Sequence, residues 1–117
     1  SGISEEQVDN YKKQLLQLME VGQLYLQTDL KSKDLSDKLG ISTKELSQVI
    51  NQGFGKNFFD FVNTFRCEEV KRILHESDEK MTIIEAMYQS GFNSKSSFNK
   101  EFKKLTGQTP KEYRNSL

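Results

Sequence analysis

The chain has 117 residues with a single proline, cysteine and histidine, and is 34% hydrophobic and 29% charged. That suits one domain and a soluble helical protein, and excludes a disordered tail or a disulfide scaffold. The lone Cys67 permits no internal disulfide and points to a reducing compartment, the lone His75 argues against a zinc site or His-based catalysis, and no apolar run nears the ~20 residues that span a bilayer.

Seventeen Lys and Arg balance seventeen Asp and Glu, but unevenly along the chain. Residues 1–42 carry five basic against seven acidic groups, and residues 43–90 carry six against eight. Residues 91–117 carry six basic groups (Lys95, Lys100, Lys103, Lys104, Lys111, Arg114) against Glu101 and Glu112. A basic end on a neutral chain suits an anionic partner.

Strand signals are missing: there is no Asn-Gly or Asp-Gly hairpin turn and no sustained alternation. Helix starts are well marked. Ser1-Gly2 has the look of a cleavage scar, so the chain reads as a piece of a longer protein. Ser4 with Gln7 is a capping box that opens a first helix over 5–27. In it Val8, Tyr11, Leu15, Leu18, Gly22 and Tyr25 form a heptad-like seam. From Leu15 to Tyr25 this seam is expected to pack on the helices that follow, while Ile3–Lys13 reads as a connector. A second helix over 32–39 ends at Gly40, and a third over 43–52 starts from Ser42 with Glu45. A long fourth helix over 57–76 carries Phe58, Phe59, Phe61, Phe65, Cys67 and His75. The fifth runs over 82–90 from Thr82 with Glu85 to Gly91, and the sixth over 94–105 to Gly107. The seventh begins at Pro110, after Thr109 with Glu112. The expectation is an all-α domain of about seven helices.

An internal repeat organises them. Leu46, Ile50, Gly55 and Phe61 correspond to Phe98, Phe102, Gly107 and Tyr113 at an offset of 52, and Gly40 to Gly91 at 51. Each copy is a short helix, a glycine turn, an amphipathic helix, then glycine and an aromatic. Two copies are too few for a solenoid and fit two helix-turn-helix units. In the first, small Ser36 lies four residues before Gly40, where two helices must approach closely.

On the third helix Leu46, Val49 and Ile50 form the inward stripe, so Lys44, Gln48 and Asn51 face outward with Ser47 on the flank. On the sixth Phe98, Phe102 and Leu105 face inward, and Ser96, Lys100 and Lys103 outward with Asn99 on the flank. Glutamine can pair with adenine and lysine with guanine in the major groove. The aromatic cluster around Phe54–Phe65 is expected to fill the first unit and the long helix rather than stack on single-stranded bases.

The stretches DLSDKLGISTKELSQVI, NFFDFVNTFRCEEVKRIL and GFNSKSSFNKEFKKLTGQTPKEYR resemble the DNA-binding domain of the AraC/XylS family of bacterial transcription regulators, from about Tyr25 to Arg114. The resemblance implies two helix-turn-helix subdomains joined by a long linker helix, whose recognition helices enter successive major-groove segments. It divides the chain into an N-terminal connector and first helix (1–28), a first helix-turn-helix (29–56), the linker helix (57–77), and a second helix-turn-helix with a closing helix (81–117). It implies base-facing roles for Lys44, Ser47, Gln48, Lys95, Ser96 and Lys100, joined by Asn99. Asn51, Arg66, Lys103 and Lys104 take the DNA backbone, with a structural role as the other reading of Arg66. Two departures are Ala86-Met87, where the family's small and bulky residues are reversed, and Ser90, in a slot that is commonly apolar.

The implied function is sequence-specific double-stranded DNA binding in a cytoplasmic transcription regulator, an activator, with RNA polymerase and a missing N-terminal sensor or dimerisation domain as partners. Attachment to a membrane sensor stays open, with no membrane contact by this fragment. No metal or cofactor is implied, and no catalytic constellation of acid, base, nucleophile and phosphate loop exists. The alternative is a helical protein-interaction module without DNA affinity.

Overall fold

Helices start here where side chains satisfy the free amides of a first turn. In the computed structural model, which describes residues 2–117, Ser4, Ser42, Thr82 and Thr109 each accept from the amide three residues on. Gln7, Glu45, Glu85 and Glu112 return the bond to the cap's own amide, completing four reciprocal boxes. These open α1 (Glu5–Glu20), α3 (Thr43–Phe54), α5 (Ile83–Gln89) and α7 (Pro110–Asn115).

Three helices start on other chemistry. Before α2 (Ser32–Leu39) the Lys31 amide donates to Asp34 Oδ2 at 2.8 Å, and before α4 (Phe58–Glu76) Asn57 Oδ1 accepts from the Asp60 amide at 2.8 Å. Before α6 (Lys95–Thr106), Ser94 Oγ accepts from the Ser97 amide at 3.3 Å. Among the described residues no strand occurs, and no helix is long and apolar enough to cross a membrane.

The first helix is shorter than its periodicity suggests. It stops at Glu20, because Val21 and Gly22 both donate to the Gln17 carbonyl and Gln23 turns left-handed with φ 51°. A short 3-10 turn, Leu24–Leu26, follows. Tyr25 therefore leaves the α1 seam, and the expectation of packing from Leu15 through Tyr25 holds only for its first part.

The chain divides into two compact units. The first takes the chain up to Leu24 together with Asp29–Phe61, and the second takes Tyr25–Thr28 with Val62–Leu117. So α4 begins in one unit and continues in the other, and four residues of the expected N-terminal segment belong with the second.

In the first unit α1 packs on α2 and α3, and Val8, Leu15, Met19, Leu35, Leu46, Val49, Ile50 and Phe61 are buried. The Phe54 and Phe61 rings meet at 4.8 Å between centroids. Buried Ser36 donates to the Lys33 carbonyl at 3.1 Å, so its hydroxyl stays satisfied inside α2 while its small size suits the tight hairpin. Phe59 does not join this core, contrary to expectation for the aromatic cluster: it is exposed.

In the second unit Cys67, Val70, Ile73 and Leu74 of α4 pack with Ala86, Met87, Phe92, Phe98 and Phe102. The reversed Ala86-Met87 pair is wholly inside, so its volume is accommodated there. Burial, then nearby Glu101, pushes the Cys67 thiol up to about 12, so it stays protonated and packs as a small apolar group.

Ser90 is completely buried, and its hydroxyl has no hydrogen-bond partner in the protein. An unsatisfied buried hydroxyl carries a desolvation penalty of about 1–3 kcal/mol. Ser90→Ala removes that penalty and leaves a void of one atom. The variant is expected to unfold at an equal or higher denaturant midpoint; a loss of about 1 kcal/mol or more would show that the hydroxyl is satisfied in solution.

Candidate nucleic-acid interface

Each unit contains a short helix, a glycine turn and an amphipathic second helix: α2–Gly40–α3 and α5–Gly91–α6. The apolar stripe of the second helix sets which residues can reach a ligand. On α3, Leu46, Val49 and Ile50 are fully buried, which turns Lys44, Ser47 and Asn51 to solvent. Gln48 is half-buried, since the Gly2 backbone runs beside its side-chain amide. On α6, Phe98 and Phe102 are buried and Lys95, Ser96, Asn99, Lys100, Lys103 and Lys104 are exposed.

Each of these two helices carries one carboxylate, and both carboxylates are engaged within the protein. Glu45 is bound into the α3 cap, its Oε1 accepting from the Ser42 amide at 3.0 Å. Glu101 is half-buried and pairs with Lys104 at 3.2 Å. The outward faces are left with amides, hydroxyls and ammonium groups. Sequence patterning placed these outward residues and paired Glu45 with Ser42 as a cap, but it did not single out the Glu101–Lys104 pair.

Lys103 bonds the Gly107 carbonyl at 3.2 Å and lies 3.6 Å from Glu112. Hydrogen bonding from the Thr109 amide, then from its side chain, together with Lys103, holds the Glu112 carboxyl below the usual carboxylate range. A depressed carboxyl contributes above the ordinary carboxylate range and loses its contribution as pH falls through the folded value, so the α7 cap weakens in acid.

Arg66 takes the structural one of its two expected roles. Its Nε donates to the Tyr25 carbonyl and its Nη2 to the Gln27 carbonyl, both at 2.8 Å, and Nη1 reaches Asn63 Oδ1 at 3.3 Å. The guanidinium also lies 5.9 Å from the Phe92 ring centroid, and Tyr25 stacks on Phe65 at 6.0 Å. Burial lowers its pKa from the ordinary arginine value. Arg66 therefore ties residues 25–28 into the second unit as a clamp. Sequence reading missed this because the accepting carbonyls lie about forty residues away.

A helix-turn-helix domain model matches residues 35–116, which include both glycine turns and both polar faces. The chain belongs to the AraC-type helix-turn-helix family of transcription regulators. This family is one of DNA-binding regulator domains rather than an enzyme class. The AraC-type chain is 40% identical over 92 residues to an uncharacterised HTH-type transcriptional regulator of Staphylococcus aureus (strain COL), covering 79% of this chain and 12% of that protein. It is 42% identical over 64 residues to the uncharacterised HTH-type regulator YobQ of Bacillus subtilis, covering 54% of this chain and 25% of that protein. Among solved structures it is similar to the C-terminal domain of AraT, a response regulator from Geobacillus stearothermophilus, with TM-score 0.75 and 26% identity over all of this chain and 89% of that one. It is also similar to the C-terminal domain of the two-component response regulator yesN from Fusobacterium nucleatum, with TM-score 0.73 and 31% identity over 88% of this chain and 97% of that one. The AraC-type domain thus spans about an eighth of the Staphylococcus relative.

Proposed function

We propose that this domain is the sequence-specific DNA-reading output of a longer bacterial transcription activator, with α3 and α6 as recognition helices in successive major-groove segments. Lys44, Ser47 and Gln48 on α3, and Lys95, Ser96, Asn99 and Lys100 on α6, face the bases. Asn51, Lys103 and Lys104 meet the phosphates. The carrying observation is that each recognition helix ties its single carboxylate to a neighbour, Glu45 in the exposed α3 cap and Glu101 to Lys104, leaving outward faces of groove-compatible donors. The protein partners in this reading are RNA polymerase and a sensor or dimerisation domain joined ahead of residue 3. The response regulators that it resembles as C-terminal domains support such a layout.

Affinity for a selected duplex, followed by fluorescence anisotropy, is expected to fall linearly in log K against log salt, with a slope of about −0.9 per phosphate contacted. Gln48→Ala and Lys100→Ala should each relax preference at one base position, costing about 1–3 kcal/mol on the best site. Salt-insensitive binding, or equal affinity for single strands, would count against the proposal and favour an interaction module or a stacking surface.

A further inference from the structure

Between α1 and α2 of the first unit lies a groove of about 340 Å³. Leu18 on α1 and Leu39 on α2 give it an apolar lining, and both are half-buried. Lys13, Gln14, Gln17 and Lys38 stand exposed around them. Val21, three residues beyond Leu18, is 69% exposed and carries the apolar strip on past the end of α1. Lys13 and Lys38 form no ion pair among the described residues, and Asp37, the acid beside Lys38 in sequence, is taken by Lys33 at 3.2 Å. No carboxylate lines the groove among the described residues, whereas the groove between α1 and the end of α3 is lined by Glu5 and Asp9.

We propose that the α1–α2 groove is a binding site for a small amphipathic carboxylate, a hydrocarbon body with one anionic head. Small-molecule sites are concave and mainly apolar, with a few polar groups that fix orientation, and this groove lies at the small end of that class. The head falls to the unpaired ammonium groups of Lys13 and Lys38, with the Gln14 and Gln17 amides as further donors. The hydrocarbon covers Leu18 and Leu39 and runs toward Val21. A neutral apolar molecule would leave both cations unused, and a free phosphate would leave the leucines in water. None of these residues lies on α3 or α6, so the site is separate from the nucleic-acid face and does not depend on it.

Decanoate is the probe, titrated into the isotope-labelled chain at concentrations where it stays monomeric and followed by amide chemical shifts. Saturable shifts are expected at Leu18, Leu39 and their neighbours, with a Kd of about 0.1–1 mM for a ligand of about twelve non-hydrogen atoms. The double variant Lys13→Gln, Lys38→Gln should bind decanoate about five- to tenfold more weakly, because two exposed ion pairs are lost. Its thermal melt should match the parent's, since both side chains are exposed. Decyltrimethylammonium, with the same tail and a cationic head, should bind the parent at least about tenfold more weakly than decanoate does. Equal binding of the two amphiphiles, or a double variant as tight as the parent, would reduce the groove to an unselective apolar contact and overturn the proposal. Shifts centred elsewhere, as at Asp9 or at exposed Phe59, or no saturable shift at all, would overturn it as well.

Discussion

Gly91→Ala is expected to destabilise the second unit by about 3–5 kcal/mol, combining left-handed backbone strain with steric displacement. Gly91 is buried with φ 98°, a conformation in which a side-chain carbon strains the backbone. A Cβ there would also collide with the Tyr25 carbonyl oxygen, with Arg66 Nε 3.0 Å and Leu26 Cα 3.1 Å away. That carbonyl is the acceptor of the Arg66 clamp, so moving it would loosen residues 25–28 as well. Gly107 provides the control: its φ is 82°, but nothing lies within 4 Å of its added Cβ. Gly107→Ala should therefore cost only the strain, about 1–2 kcal/mol. Urea unfolding followed by circular dichroism separates the two. Equal losses would mean that the collision relaxes freely and that the clamp is not rigid.

Replacing Lys100, Lys103 and Lys104 together by glutamine is expected to remove most of the salt-dependent affinity for DNA. The second unit carries ten Lys and Arg against eight Asp and Glu, whereas the first carries seven against nine. Attraction to a polyanion therefore falls to α6. Lys103 lies 3.6 Å from exposed Glu112 and Lys104 3.2 Å from half-buried Glu101, but both ammonium groups are themselves exposed, so a phosphate can take the place of either acid. In the proposed arrangement Lys103 and Lys104 each meet a phosphate and Lys100 a base. Two lost phosphate contacts should therefore flatten the slope of log K against log salt by about 1.8, and the three losses together should lower affinity by roughly a hundredfold or more at low salt. Lys44→Gln on α3, the parallel substitution in the acidic unit, should flatten it by no more than about 0.9. If the triple variant left the slope unchanged, or Lys44→Gln changed it as much, the division of charge between the units would have no bearing on binding.

Much of this protein was decided locally. The four capping boxes sit where Ser or Thr precedes Glu or Gln by three residues, because a cap joins groups within one turn and needs no distant partner. The stripes of α3 and α6 follow from helical periodicity in the same way, so Lys44, Ser47, Asn51 and the α6 lysines could be placed outward from spacing alone. Gln48 could not, because the segment beside it lies far along the chain.

Tertiary structure decided what depends on such distant neighbours. A seam that continues in register past Glu20 gives no sign that the backbone turns left-handed at Gln23, nor that Tyr25 will stack on Phe65 and accept from Arg66. Adjacent phenylalanines look alike in sequence, yet Phe58 is half-buried and Phe59 stands in solvent, since the side of α4 that is covered depends on what packs there. Arg66 and Gly91 are the sharpest case. The family resemblance offers one as a cation for a phosphate, and its place after a periodic stretch marks the other as a plain helix stop. Folding brings both against the carbonyl of Tyr25, and that meeting gives the arginine its structural role and leaves no room for a side chain at the glycine.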